Sequence, residues 1–193
     1  MKKVYVLFVG LVIINAGITV KAQVNQGFLY GISMSKFSGI DGAKYKFLFT
    51  KAAYLYHIDI TRFGLILEGG YTVIGTNHER NNKKYKGAID GINAGLFIKY
   101  KLTDNINITP YFFSGADIMA TFASYPDLIL PDDTINAKEF NHKVLCYNLV
   151  FGVGLIAGEA AGIELRYYHG LKSLSDKYDI RNRQYTLCIY LLF

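Results

Sequence analysis

Beyond residue 22 the chain has no run of 18 uninterrupted apolar residues, so nothing there crosses a bilayer as a helix. Yet 51% of all residues are hydrophobic. Positive charge is also scarce once the N-terminal stretch is set aside. The formal charge is +6, of which Lys2, Lys3 and Lys21 supply three, and no acid occurs among the first 22 residues; the remaining 193 − 22 = 171 residues carry +3. That is no nucleic-acid footprint. Tryptophan is absent and proline is limited to 3, against 16 Tyr, 13 Phe and 19 Gly. Such a composition favours strands and turns over helices, and the length suits one domain.

The N-terminus gives an address. "MKK" is a short positive stretch, "VYVLFVGLVIINAGITV" an apolar run, and Val20-Lys21-Ala22 places small or medium residues where a signal peptidase reads. This pattern matches a secretory signal peptide, residues 1–22, cut after Ala22. The alternative, an uncleaved spanning helix, suits the run less well because it is slightly short and broken by Asn15 and Gly17.

Residues 23–193 show period-2 alternation in eight segments: 27–37, 48–59, 63–75, 88–100, 106–121, 144–157, 162–171 and 184–193. In the third, Phe63, Leu65, Leu67, Tyr71 and Val73 share a face opposite Gly64, Glu68, Gly70 and Thr72. In the seventh, Ile163, Leu165 and Tyr167 oppose Glu164, Arg166 and Tyr168. Short links near 60–62, 101–105 and 158–161 take turns with long ones at 38–47, 76–87, 122–143 and 172–183. An up-and-down meander gives that rhythm when one rim carries tight turns and the other carries loops, and it puts both ends of the domain on the tight-turn rim.

One face of every segment is greasy, and the other decides what the greasy face meets. A soluble barrel coats its outside with charge, whereas here the second face is mostly Gly, Ser, Thr, Asn and Tyr, the residues a narrow barrel interior accommodates. The expected fold is therefore an all-β, eight-stranded antiparallel up-and-down transmembrane β-barrel. Its lipid-facing strands of about ten residues suffice to cross an outer membrane. Its sheet must close so that no backbone group is left unpaired in hydrocarbon. Glu68, Lys99, Glu164 and Arg166 form a polar cluster in the lumen, and Tyr71, Tyr100 and Tyr167 stand at headgroup level. Eight strands leave an interior filled by side chains, hence no wide pore.

The stretches "VKAQ", "YKLTDNINITPYFFSGAD", "GIELRYYHGLKSLSD" and the terminal "YTLCIYLLF" resemble the small outer-membrane β-barrel proteins of the porin-family or PorT-like kind, common in Bacteroidota. The resemblance covers roughly 23–193. It implies that Tyr185, Leu187, Ile189, Leu191 and Phe193, one parity of an apolar final strand, are the assembly signal read by the barrel-assembly machinery. It also allows a place in a secretion or envelope machine. The family has no shared catalytic motif to carry over.

Chemistry-bearing patterns are sparse. None of His57, His78, His142 and His169 stands in metal-ligand spacing with another; His57 has lumen parity, His78 and His142 fall in long links, and His169 lies near the outer end of the seventh strand. His169 with Ser173, Ser175 or Asp176 could be read as a triad of a lipid-modifying barrel enzyme, but no G-x-S-x-G context accompanies it and a polar outer loop is the simpler reading. Cys146 and Cys188 have lumen parity with one strand between them, which puts their backbones about 9.5 Å apart, too far for an unstrained disulfide. Both are read as interior packers. Asp132 and Asp133 lack calcium-loop spacing, and Leu128 to Leu130 form an apolar loop centre suited to membrane or a partner. The basic link around Arg80, Lys83, Lys84 and Lys86 is a candidate contact for lipopolysaccharide phosphates. The expected protein is thus a non-enzymatic outer-membrane barrel without cofactor. Its partners are membrane lipid, lipopolysaccharide and possible proteins at its loops or periplasmic rim.

Overall fold

The computed structural model describes residues 23–80, 83–103, 107–126, 145–158, 160–175 and 179–193. Residues 1–22, Leu128 to Leu130, Asp132, Asp133, His142 and Asp176 lie outside them. Among the described residues every regular element is a strand: β1 Gln23–Ser38, β2 Ala43–Lys44, β3 Lys46–Ile60, β4 Phe63–Arg80, β5 Lys83–Lys101, β6 Ile108–Pro126, β7 Leu145–Ala157, β8 Ala161–Gly170 and β9 Arg181–Leu192.

Apart from the two-residue β2, each strand pairs antiparallel with its chain neighbours, and β9 pairs with β1 from Gly27↔Leu192 to Ser38↔Arg181. The ring of eight long strands is closed, each having a partner strand on both sides. The final strand is tied down by this seam, with Phe193 N–H donating to the Gln26 carbonyl at 2.7 Å. Gln23 and Phe193 sit at the rim of the Ile60–Phe63 turn, Gln23 paired with Asp59 and Phe193 bonded to Gln26, and the 38–47 connection lies at the opposite rim.

The outer rim departs from the expected layout. The segment 76–87 is largely strand: β4 and β5 stay paired from Phe63↔Tyr100 up to Arg80↔Lys83. The alternating-parity signal was masked there because both strands turn polar once they rise past the apolar band. β6 likewise extends to Pro126, where it pairs with Gly87. His78, placed in a link by sequence, is therefore a buried strand residue. Part of the 38–47 link forms β2, which pairs with β4 through Ala43↔His78 and Lys44↔Asn77. Below this contact β3 and β4 separate, Lys51↔Thr72 being their last pair. Ser35 bridges the gap, its hydroxyl donating to the Gly75 carbonyl and accepting the Gly75 N–H, both at 2.6 Å. Val73, of exterior parity, is buried in this region.

Side chains inside the wall fall into two apolar clusters. The lower one includes Leu29, Leu55, Ile66, Phe97, Tyr111, Phe113, Val150, Tyr168, Cys188 and Tyr190. The upper one joins Phe37, Ile74, Ile89, Met119 and Cys146 to Ile40, Leu174 and Ile180 from the outer connections. Cys146 and Cys188 are buried, free and in different clusters.

Candidate functional site

The interior between the two clusters is bridged by charge. Glu68 on β4 accepts Lys51 Nζ from β3 and Arg166 Nη1 from β8, each at 2.5 Å. In the ring β4 and β8 lie four strands apart, so the Glu68–Arg166 pair spans the barrel from wall to wall. Arg166 also donates Nε to Glu164 at 2.6 Å, and Tyr111 hydroxyl donates to Glu164. Asn93 gives its amide to Glu68 at 2.9 Å and to Asp117 at 2.7 Å, and Asn148 reaches the other Asp117 oxygen at 3.1 Å. Lys51 donates to Tyr168 hydroxyl at 2.7 Å. The guanidinium of Arg166 lies 5.4 Å from the ring centres of both Phe97 and Phe113, within cation–π range.

The fourth member expected in this cluster, Lys99, stands apart. It pairs with Asp59 at 2.6 Å nearer the tight-turn rim, beside Lys101 on the same carboxylate at 2.8 Å, with Nζ 3.2 Å from His57 Nδ1. Lys51, Lys99, Lys101 and Arg166 thus face Asp59, Glu68, Asp117 and Glu164. Charges taken from water survive only when paired and hydrogen-bonded, and some of these bonds, Glu68 to Arg166, Lys51 to Tyr168 and Lys99 to Asp59, join strands that are not neighbours. They brace the lumen.

Sequence reasoning missed the rings in this plug and the acids and amides beside it. Glycines are the signal that would have found the rings. Gly152 and Gly154 on β7 lie directly across from Phe113 and Tyr111 on β6, and a Cβ on either would strike the facing ring. A strand glycine opposite an aromatic residue marks where a ring lies flat on the backbone.

The outside is apolar. Leu165, Leu187, Ile189, Leu191 and Phe193 are all exposed, Ile189 at 62% and Leu191 at 65%, whereas Arg166, Thr186 and Cys188 are fully buried. Aromatic contacts band this surface at two levels. Toward the tight turns, Tyr100 packs on Phe63 at 5.0 Å and on Phe112 at 5.3 Å, and Phe28 on Phe193 at 5.9 Å. Toward the other rim, Tyr185 packs on Tyr167 at 5.0 Å and Tyr71 on Phe122 at 6.3 Å. Phe63 and Tyr71, like Tyr185 and Phe193, are eight residues apart, about 26 Å along a strand and roughly 20 Å along the axis at a tilt near 40°. That approaches the ~25 Å apolar band between aromatic girdles of membrane barrels.

The basic residues Arg80, Lys83, Lys84 and Lys86 lie at the top of the β4–β5 hairpin, with Lys84 and Lys86 exposed. Beside them Lys44 donates to Glu79 at 2.8 Å and holds that carboxyl below the usual range. His169 has exterior parity, its Nδ1 3.5 Å from Tyr167 hydroxyl. Ser173 hydroxyl instead accepts the N–H groups of Ser175 and Ile180 at 3.2 and 3.0 Å. No group of three or more possible metal ligands occurs among the described residues.

No protein-family model matches the chain, and no curated protein matches it significantly. Solved structures do. Neisserial surface protein A is 10% identical, with a TM-score of 0.54 over 89% of this chain and 99% of that one. Ail, the attachment invasion locus protein of Yersinia pestis, is 16% identical, with a TM-score of 0.43 over 89% of this chain and 99% of that one. The outer membrane enzyme PagL is 11% identical, with a TM-score of 0.44 over 84% of this chain and 97% of that one. The chain has the up-and-down barrel fold that Neisserial surface protein A displays.

Proposed function

We propose that the protein is an integral outer-membrane barrel with no wide pore, a structural or surface-binding component that acts through its outer rim and not through catalysis. The observation that carries this is the pairing of opposites across one wall: an apolar, aromatic-banded exterior around an interior closed by buried ion pairs. Water would not tolerate the first, and the second leaves no open lumen. In this reading residues 1–22 direct export and are removed after Ala22, the 185–193 parity serves as assembly signal, and the hairpin lysines meet lipopolysaccharide. The sequence stretches that resemble PorT-like barrels support kinship with that group. A secretion-machine role within it predicts a stable complex with periplasmic subunits on gentle extraction.

The test is fractionation. Expressed with its N-terminal segment, the protein should enter the outer-membrane fraction and migrate at a heat-dependent position on a gel, because a closed barrel resists detergent until boiled. Recovery in the soluble periplasm as a folded species would refute the proposal.

A further inference from the structure

At the outer aromatic level the wall of β1, β9 and β8 carries a second basic site, remote from the hairpin. Lys36, Arg183 and His169 are consecutive cross-strand partners, Lys36↔Arg183 and His169↔Arg183, and all three have exterior parity. Side chains in direct register lie about 4.5–5.5 Å apart at Cβ, a spacing at which like charges destabilise the sheet. No described acid shares that face. β1 contains none, Glu164 of β8 points inward, and the nearest carboxylate in sequence, Asp179, is held by Arg181 at 2.8 and 3.2 Å. Arg183 spends one nitrogen on the Gly170 and Asn182 carbonyls, both at 3.2 Å.

Below the cations lies a floor of phenol rings. Tyr45 and Tyr167 flank Tyr185 at 5.9 and 5.0 Å between centres, and Lys36 Nζ stands 4.9 Å from the centre of Tyr45. The cations therefore sit at the top edge of the apolar band, over groups that both stack and donate hydrogen bonds.

We infer that this face binds the phosphate-bearing headgroup of an outer-leaflet glycolipid, its acyl chains running down Leu187, Ile189 and Leu165. A phosphate monoester brings about −1.5 to −2 charges and several acceptor oxygens, which relieves the Lys36–Arg183 repulsion and matches the guanidinium fork. The height of the site, directly above lipid-facing side chains, selects a lipid over a free anion. The inference rests on the bilayer reading.

The probe is bisphosphoryl lipid A in phosphatidylcholine vesicles holding the folded barrel, followed by mild extraction and mass-spectrometric counting of lipid A per barrel. Wild type should retain it. Lys36→Gln with Arg183→Gln should lower retention roughly ten-fold or more, the scale of losing two charged hydrogen bonds, while Arg62→Gln, an exposed cation in the turn at the opposite rim, should leave it unchanged. Lipid A stripped of phosphate should not be retained, and excess inorganic phosphate should not displace the intact lipid. Equal retention by the Lys36 and Arg183 double variant and by wild type, indifference to phosphate removal, or full displacement by inorganic phosphate would each overturn the inference. Heat-dependent gel mobility of every variant reports separately on the barrel: its loss from wild type in vesicles would sink the bilayer reading itself.

Discussion

Arg166 shows how much one interior residue can carry. It joins Glu68 and Glu164 and lies beside two phenylalanine rings that touch each other. Arg166→Met keeps much of the volume but leaves two buried carboxylates short of a cation, which costs about 3–5 kcal/mol for a broken buried pair. Urea unfolding followed by circular dichroism should show a lowered midpoint, while Lys84→Met on the exposed hairpin should hardly move it. Gly154 is a second such position. Its strand-mate across the ladder is Tyr111, whose ring occupies the space a side chain would need. Gly154→Val should destabilise by roughly 1–3 kcal/mol, the range for overpacking, and a double change with Tyr111→Ala should recover part of that loss. Parity was enough to place Glu68, Glu164 and Arg166 on one face. It could not separate Lys99 from them, because residues on a common face are sorted into layers by stagger around the ring, which alternation does not encode.

At the scale of elements, alternation located all eight long strands but lost their outer ends. The rule detects a contrast between greasy and polar sides, and that contrast vanishes where β4 and β5 leave the band and become polar on both. The link reading "NHERNNKKYK" therefore looked like a loop although its backbone stays in register from Asn77↔Lys86 to Arg80↔Lys83. Where the contrast persists, faces can be tested directly. Ile189 lies midway between Tyr185 and Phe193 on the exposed side of β9, and Thr186 lies buried opposite Arg166. Ile189→Asp puts a carboxylate in hydrocarbon, up to about 2–4 kcal/mol near the midplane, and should block assembly. Thr186→Asp meets the Arg166 guanidinium and should be milder. Amounts of heat-modifiable protein in the membrane fraction rank the two, and the reverse order would mean the faces are exchanged.

For the whole molecule, closure and occlusion are the main properties. Closure follows from the β1–β9 seam, and the proposed occlusion from bonds inside the lumen, Glu68 to Arg166 from wall to wall and Asp59 to Lys99 across β4. Planar-bilayer recordings on the purified barrel should show no large, steady conductance, since an eight-stranded interior is just wide enough for side chains to fill. The charges of that plug were visible in sequence as isolated residues on five strands, but their mutual distances depend on the diameter and stagger of the closed ring. The most direct test of the account asks what touches the exterior. With Cys146 and Cys188 replaced, single nitroxide labels at Leu165, Ile189 and Ile98, and one at Lys84, can be compared in vesicles for collision with dissolved oxygen and with a water-soluble nickel chelate. The account predicts that the first three meet oxygen and exclude nickel, while the label at Lys84 meets nickel. Nickel access at Leu165 and Ile189 equal to that at Lys84 would contradict it, because the apolar face would then lie in water.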